Sequence, residues 1–520
     1  MPSATCAGAT DDGIRTDLQR DISMKEPQHG IGRRIAAGAS WLILARLAVR
    51  SLGFINTLVL ARLLMPEDFG LIALAMLALE FLELVTDFNF GLALISLRTR
   101  STRLYNTAWT LGVIRGVVVA AIMFLVARPY AAFFDEPRLE AILYVLTLWP
   151  LIYAFYNIGF FEFTRDLDFQ KHFKAQVVSK VWAIGVTIAC AFAWRSYWAP
   201  IAGALTGCVA MTIMSYVMHP YRPRLALVEW RRLFDFSKWL ALDGIITFAE
   251  QRTDTVILGK LEGSRTLGVY SVAIEIADLP TTQLGGAIKA ALFPGYTKLT
   301  HDRAQLARAF VDALALVFLC ALPVGAGVSL TAHLAVPLFL GTRWNEAIPL
   351  LQILAIYGVI NVLRANCGVV FLAIGKPRMS PVLSLIGLSV RAPLLVVGVL
   401  VAGAYGAAWA VLAGAIVASS AAITFAAREL GVSAAEIIRA LWRPFAAAVV
   451  MTCTVGLLVA EGPTLSGVGA LGWLLAIATL GAAVYVAAAL ALWRLNGSPH
   501  GPEYHALELL RAGMKARGTF

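Results

Sequence analysis

The stretch LARLLMPEDFGLIALA, residues 60–75, closes one long apolar run, turns on Pro66-Glu67-Asp68-Phe69-Gly70 and opens a second run. Displaced by 198 positions, the same window reads LGKLEGSRTLGVYSVA, residues 258–273. Leu60 and Leu258, Arg62 and Lys260, Leu63 and Leu261, Gly70 and Gly268, and Ala75 and Ala273 correspond without a gap, and Glu80 then falls opposite Asp278. Both copies sit at a turn between two apolar segments. A duplicated turn in that setting predicts two related membrane bundles facing each other.

Composition leads to the same class. With 59% hydrophobic and 14% charged residues and a mean hydropathy of +0.75, a chain of this length is far too apolar to be soluble. A span needs roughly 20 apolar residues to cross about 30 Å of hydrocarbon. Such runs lie near 36–59, 69–93, 105–126, 140–160, 175–194 and 199–218, then 239–259, 267–293, 309–332, 348–373, 379–402 and 406–427, and finally 444–460 and 466–493. The expected fold is an all-α membrane protein of fourteen transmembrane helices: two six-helix lobes related by a pseudo-twofold repeat, plus two C-terminal helices. The expected division is a disordered tail (1–33) without a signal peptide, an N-terminal lobe (34–218), a basic linker (219–238), a C-terminal lobe (239–430), two further spans (431–495) and a tail (496–520).

The net charge of +11 is spread over the connections, and no basic domain stands apart to bind nucleic acid. Nineteen Lys and Arg fall on one side, among them Arg98, Arg165, Arg222, Arg231, Arg308, Lys376 and Arg439, against seven on the other: Arg62, Arg128, Arg138, Arg195, Lys260, Arg265 and Arg343. Cytoplasmic loops are the ones enriched in such residues, so both termini are expected in the cytoplasm and the 60–75 turn on the opposite side. No outward connection exceeds about 17 residues, whereas a soluble catalytic domain takes some ~50 or more. An enzyme is therefore not expected. Six scattered cysteines without a CxxC pair, and seven histidines without HExxH spacing, predict no metal or cofactor. The DxD of Asp166 and Asp168 lies in a short charged loop without an α/β domain around it, and reads as a bilayer-edge loop. Trp109, Trp149, Trp182, Trp198, Trp239 and Trp344 lie mostly near span ends and read as interfacial anchors.

Charges within the spans are the informative exception, because one at the centre of a helix costs about 2.5–3.5 kcal/mol on insertion scales and so faces a cavity or a partner. Arg46 and Arg50, four apart, share a face of the first helix, and Glu80, Glu83 and Asp87 fall close together on the second. Arg46 and Glu83 come at similar depth, which allows a simple internal salt bridge. On the seventh helix Asp243, Glu250 and Asp254 fall on one face, with Arg252 pointing elsewhere. Glu275 and Asp278 add acid to the eighth, and Arg115, Lys180, Arg364 and Arg391 add base to the third, fifth, tenth and eleventh. A set this large, spread over both halves, predicts a hydrated polar cavity between them. Inward cations suit a phosphate or pyrophosphate, and inward carboxylates suit a proton or Na⁺.

ARLLMPEDFGLIALA, followed by an acidic helix and NFGLALISLRTR (89–100), resembles the polysaccharide transporter family of the MOP superfamily of flippases and exporters. RTDTVILGKLEGSRTLGVYSVAIEIADLP (252–280), ALFPGYTKLTHDRAQLARAF (291–310), GTRWNEAIPLLQIL (341–354) and FLAIGKPRMS (371–380) are similar to later landmarks of that family, in order. The resemblance implies two lobes in a V around a central cavity. It also implies a substrate, an undecaprenyl-pyrophosphate-linked oligosaccharide moved from the cytoplasmic to the periplasmic leaflet of a bacterial inner membrane for capsule, exopolysaccharide or O-antigen assembly. Glycosyltransferases and a polymerase would be pathway partners, with membrane lipids around the protein.

The site expected from the residues has Arg46, Arg50, Lys180 and Arg364 holding the pyrophosphate, and Glu80, Glu83, Glu250 and Asp254 taking up a coupling H⁺ or Na⁺. The alternatives are a cation-coupled multidrug exporter, which should prefer an acidic, aromatic cavity, a membrane polymerase or ligase, which needs a large outer loop, and a passive scaffold. The turns at 60–75 and 258–273 read as structural hinges.

Overall fold

The computed structural model describes residues 28–86, 101–166, 168–228, 230–462 and 467–497, and within these the side chains other than those at 28–40, 42–43, 45–46, 230–243 and 279–291. Asp87 and the 89–100 landmark lie outside the described residues, as do the side chains of Arg46 and Asp243. Every regular element among the described residues is helical.

In the first half these are α1 (Gln28–Leu63), α2 (Pro66–Thr86), α3 (Thr102–Phe133), α4 (Arg138–Leu146), α5 (Leu148–Ala154), α6 (Phe161–Arg165), α7 (Phe169–Trp194) and α8 (Trp198–Met218). The second half has α9 (Trp230–Leu261), α10 (Gly263–Leu299), α11 (Arg303–Phe339), α12 (Ala347–Ala373) and α13 (Met379–Leu430). α14 (Ala434–Ala460) and α15 (Val468–Leu495) follow.

Nine of the described helices are individually long and apolar enough to cross a membrane, and the Arg138–Ala154 segment joins Ile158–Arg165 at a 63° bend as a broken tenth. α13, at 52 residues, is a hairpin of two crossings. Ala402 and Gly403 leave helical geometry, Gly403 with φ 56° and ψ −139°. A Cβ on Gly406 would lie 1.9 Å from the Gly398 carbonyl oxygen, whereas residues eight apart in a continuous helix are separated by about 12 Å. The chain therefore turns back on itself there, and a side chain at Gly403 would meet a positive φ that L-residues rarely adopt. With α1, α9 and α10 of 36, 32 and 37 residues, the order of elements is compatible with fourteen crossings.

Local chemistry sets the helix starts. Pro66 takes the first position of α2, where its missing N–H costs nothing. Glu67 and Asp68 follow in the first turn, favourable at a positive helix end, and Asp68 accepts a hydrogen bond from the Met65 N–H at 2.9 Å. Ser433 and Glu436 open α14 with the spacing of a capping box, and the Ser433 hydroxyl accepts from the Glu436 N–H at 3.2 Å. α1 begins at Gln28, six residues inside the stretch read from sequence as tail, with no proline to interrupt it before Pro66.

Lipid tails are as apolar as leucine, so membrane helices associate through close packing and small residues more than through hydrophobic burial. The two halves meet in that way at the end carrying the 60–75 turn. One core runs through both, joining Ala61, Leu71, Leu74 and Ala75 to Leu258, Leu267, Tyr270 and Ala273. Around it, Arg62 donates to the Phe339 carbonyl at 2.9 Å and to that of Leu338. Lys260 reaches Asp135 at 2.5 Å, and the Ser264 hydroxyl donates to Glu136 at 3.0 Å. Trp344 is not an interfacial anchor: it is fully buried, donates its indole N–H to the Ala61 carbonyl at 2.8 Å, and stands edge-on to Phe69. At the opposite end, residues 219–228 run as an extended strap along α3, where the Ala226 N–H donates to Thr110 at 3.0 Å and the Arg224 N–H to Asn106 at 3.1 Å.

Candidate functional site

The charges within the helices gather into a polar seam with a closed part and an open part. The closed part joins α9 to α12 and α13. Asp254, 2% exposed, accepts from Arg391 at 2.8 Å and from the Tyr270 hydroxyl at 2.8 Å. One turn back, Glu250 is 5% exposed and accepts from Arg364 at 2.6 Å. Gly387 leaves room for that carboxylate, since a Cβ there would stand 2.9 Å from its Oε1. Removing ions from water costs several kcal/mol each, and the pairing offsets this only where the geometry is good. Two acids and two arginines stand at hydrogen-bond distance, but among the described residues Glu250 Oε2 and Arg391 Nε are buried without a hydrogen-bond partner, so the offset is partial.

The other two acids expected to couple a cation are also held by arginines. Glu80 meets Arg252 at 2.7 Å, and both keep over a third of their side-chain surface exposed, so this bridge from α2 to α9 crosses between the halves in an open region. Glu83 is engaged by Arg115, which also donates to the Glu83 carbonyl at 2.8 Å and to Thr86 at 3.1 Å. Depth along two neighbouring helices pointed to Arg46 as the partner of Glu83. Arg115 on α3, which packs against α2, lies level with Glu83 and engages it, while the Arg46 side chain lies outside the described residues.

The open part lies among α1, α7 and α10. Arg50 is exposed, Lys180 reaches toward Gly53 of α1 with its Cε 3.9 Å from where a Cβ would stand, and both lie within electrostatic reach of Glu275 on α10. Arg50 likewise reaches Asp278. The Thr57 hydroxyl donates to Glu275 at 3.0 Å, and among the described residues Glu275 has no ion pair. Arg50 and Lys180 thus share electrostatic contact with Glu275, whereas Arg364 is committed to Glu250. Sequence reasoning placed Glu275, Asp278, Arg252 and Arg391 within spans but gave them no role. The repeat carried one hint, since Asp278 is the counterpart of Glu80.

Ion pairs buried among membrane-spanning helices, with further charges lining the contact between the two halves, are the features of a multi-pass membrane transporter. A family model described as polysaccharide biosynthesis protein matches residues 59–349, and the chain belongs to that family. It is 26% identical over 414 residues to the lipopolysaccharide biosynthesis protein WzxC of Escherichia coli (strain K12), covering 79% of this chain and 84% of that protein. It is 21% identical over 371 residues to the teichuronic acid biosynthesis protein TuaB of Bacillus subtilis (strain 168), covering 70% and 77%. Among solved structures, the lipid II flippase MurJ in an inward closed conformation superimposes with a TM-score of 0.73 at 12% identity, covering 87% of this chain and 98% of that one. An inward-facing multidrug resistance MATE transporter gives 0.59 at 13% identity, covering 75% and 98%. These two likenesses concern the fold.

Proposed function

We propose that this protein is a flippase that moves an undecaprenyl-pyrophosphate-linked oligosaccharide from the cytoplasmic to the periplasmic leaflet by alternating access, in lipopolysaccharide, capsule or exopolysaccharide biosynthesis. The observation that carries the reading is that Arg50 and Lys180 share electrostatic contact with Glu275 in the open part of the seam. A diphosphate offers anionic oxygens that guanidinium and ammonium groups bind as charge-assisted donors. Arg46, one turn from Arg50 on α1, extends the same stripe, and Arg364 joins when its pair with Glu250 opens. The sugar occupies the polar space between the halves, and the polyprenyl tail stays in lipid.

The surplus of Lys and Arg on the end away from the 60–75 turn supports an inner-membrane protein with both termini in the cytoplasm. The tightly joined end is then periplasmic, and the protein is shut to the outside. Residues 34–218 and 239–430 act as the two rocking lobes, with 219–238 as linker, 431–495 as two added helices, and 1–33 and 496–520 as tails. Glu80, Glu83, Glu250 and Asp254 couple transport to H⁺ or Na⁺ by releasing their arginines. Glycosyltransferases and a polymerase act before and after the flip.

The test is complementation of polysaccharide export in a strain lacking its own flippase. Arg50→Gln and Lys180→Gln should each abolish export at normal membrane levels, and Arg46→Ala and Arg364→Ala should impair it. Full export by all four variants would sink the diphosphate reading. A cation-coupled multidrug exporter shares the fold, but clustered cations repel cationic drugs, so raised drug resistance without polysaccharide export would reverse the assignment.

A further inference from the structure

We propose a binding site for an anionic phospholipid headgroup in a cavity of about 930 Å³ among α11, α13 and α14. It lies at the end of the bundle remote from the 60–75 turn, and no residue of the first half lines it. Arg303, Arg308, Arg439 and Arg443 face Asp312 and Glu436 there, a surplus of two positive charges (four arginines less two carboxylates). Arg308 and Arg439 are exposed, and among the described residues neither has an ion pair. Arg443 is buried at 7% exposure, which fixes one guanidinium in the wall, and Arg303 is oriented by the Glu429 carbonyl.

Depth and lining select a lipid over a soluble anion. Trp442 and Phe445 on the same helix are exposed, and a tryptophan at a span end sits at headgroup level. Alanines, Val311 and Leu430 complete the lining, a surface suited to a glycerol backbone. Basic pockets between membrane helices are known to take acidic headgroups. The bulk phospholipid is favoured over a diphosphate-linked substrate because the cavity is separate from the seam between the halves.

The experiment measures lipid binding to delipidated full-length protein by native mass spectrometry, so its outcome does not depend on transport. Phosphatidylglycerol is titrated against phosphatidylcholine of the same acyl chains. Wild type should prefer phosphatidylglycerol by about thirtyfold, from two free arginines near the surface. Arg308→Gln/Arg439→Gln should bring both lipids to equal affinity, and Arg308→Lys/Arg439→Lys should keep most of the preference. Ala440→Trp, which crowds the wall between the arginines and spares their charges, should weaken the preference and decides the matter if the Gln pair does not fold. An undiminished preference in a folded Gln pair or in Ala440→Trp overturns the proposal. So does displacement by millimolar inorganic phosphate, which would make the site one for free anions, and so does tighter binding of undecaprenyl diphosphate at the same residues.

Discussion

Gly70 and Gly268 each press against the other half's backbone: a Cβ on Gly70 would lie 1.8 Å from the Ser264 carbonyl oxygen, and one on Gly268 would lie 1.8 Å from that of Pro66. Pro66 and Ser264 are separated by the same 198 positions as the two glycines. The contact is therefore self-complementary, since the counterparts of one touching pair form the other touching pair, as at a twofold interface between identical subunits. α2 and α10 approach so closely there that any side chain meets backbone, which cannot swing aside.

Gly70→Ala and Gly268→Ala should accordingly destabilise the protein by about 1–3 kcal/mol each, the usual cost of overpacking. Gly327→Ala, where a Cβ would meet nothing within 4 Å, is the control. Thermal unfolding of the purified proteins measures the difference, and equal melting of Gly70→Ala and Gly327→Ala would show that the approach is looser than described.

The buried pair of Asp254 and Arg391 makes a second prediction. Truncating one member leaves the other charged and unpaired in a nearly dry site, so Asp254→Ala and Arg391→Met should each cost about 3–5 kcal/mol. Residues sharing one network couple, so the double variant should lose less than the sum. A double-mutant cycle on melting temperature reads the coupling, and strict additivity would mean that the two side chains act independently.

These features differed in how far the sequence disclosed them. Spans are fixed by apolar length, and the reversal at 402–403 was visible because two runs of spanning length abut there. The shared face of Glu250 and Asp254 followed from helical spacing alone. Their partners did not, because helix rotation is set by packing among several helices. Glu83 shows this: the arginine that engages it stands on α3, and no spacing within α2 points to that helix. Trp344 misled for a related reason. A tryptophan at a span end looks the same in sequence whether it faces headgroups or a neighbouring lobe, and only the arrival of Ala61 from 283 positions away distinguishes them.

Acid should weaken the joined end through Glu136, in the turn between α3 and α4. Its carboxyl is held below the ordinary glutamate pKa, chiefly by hydrogen bonding from Arg138 and further by that from Ser264. A group depressed on folding contributes stability above its unfolded pKa and loses that contribution as pH falls through the folded one. The stability advantage of wild type over Glu136→Gln should thus be constant at neutral pH and shrink below about 4.5. Melting temperatures across that range provide the check, and an advantage that grows in acid would contradict the assignment.

The strength of the joined end should reside in Trp344 more than in its visible ion pair. Lys260 and Asp135 are 37% and 76% exposed, and exposed pairs contribute about 0–1 kcal/mol. Trp344 is fully buried between the halves, where truncation to alanine costs about 3–5 kcal/mol. If part of that cost falls on the closed state alone, the equilibrium moves toward the outward-open state tenfold for each ~1.4 kcal/mol. Thr57→Cys, buried at the Glu275 contact, reports the change on a background freed of native cysteines. A membrane-impermeant maleimide added from the periplasmic side should label it slowly in wild type, scarcely faster with Lys260→Ala, and at least several-fold faster with Trp344→Ala. Trp344→Phe keeps much of the ring volume but not the indole donor to Ala61, and should fall between. Rapid labelling with Lys260→Ala and none with Trp344→Ala would invert the order and place the lock at the ion pair.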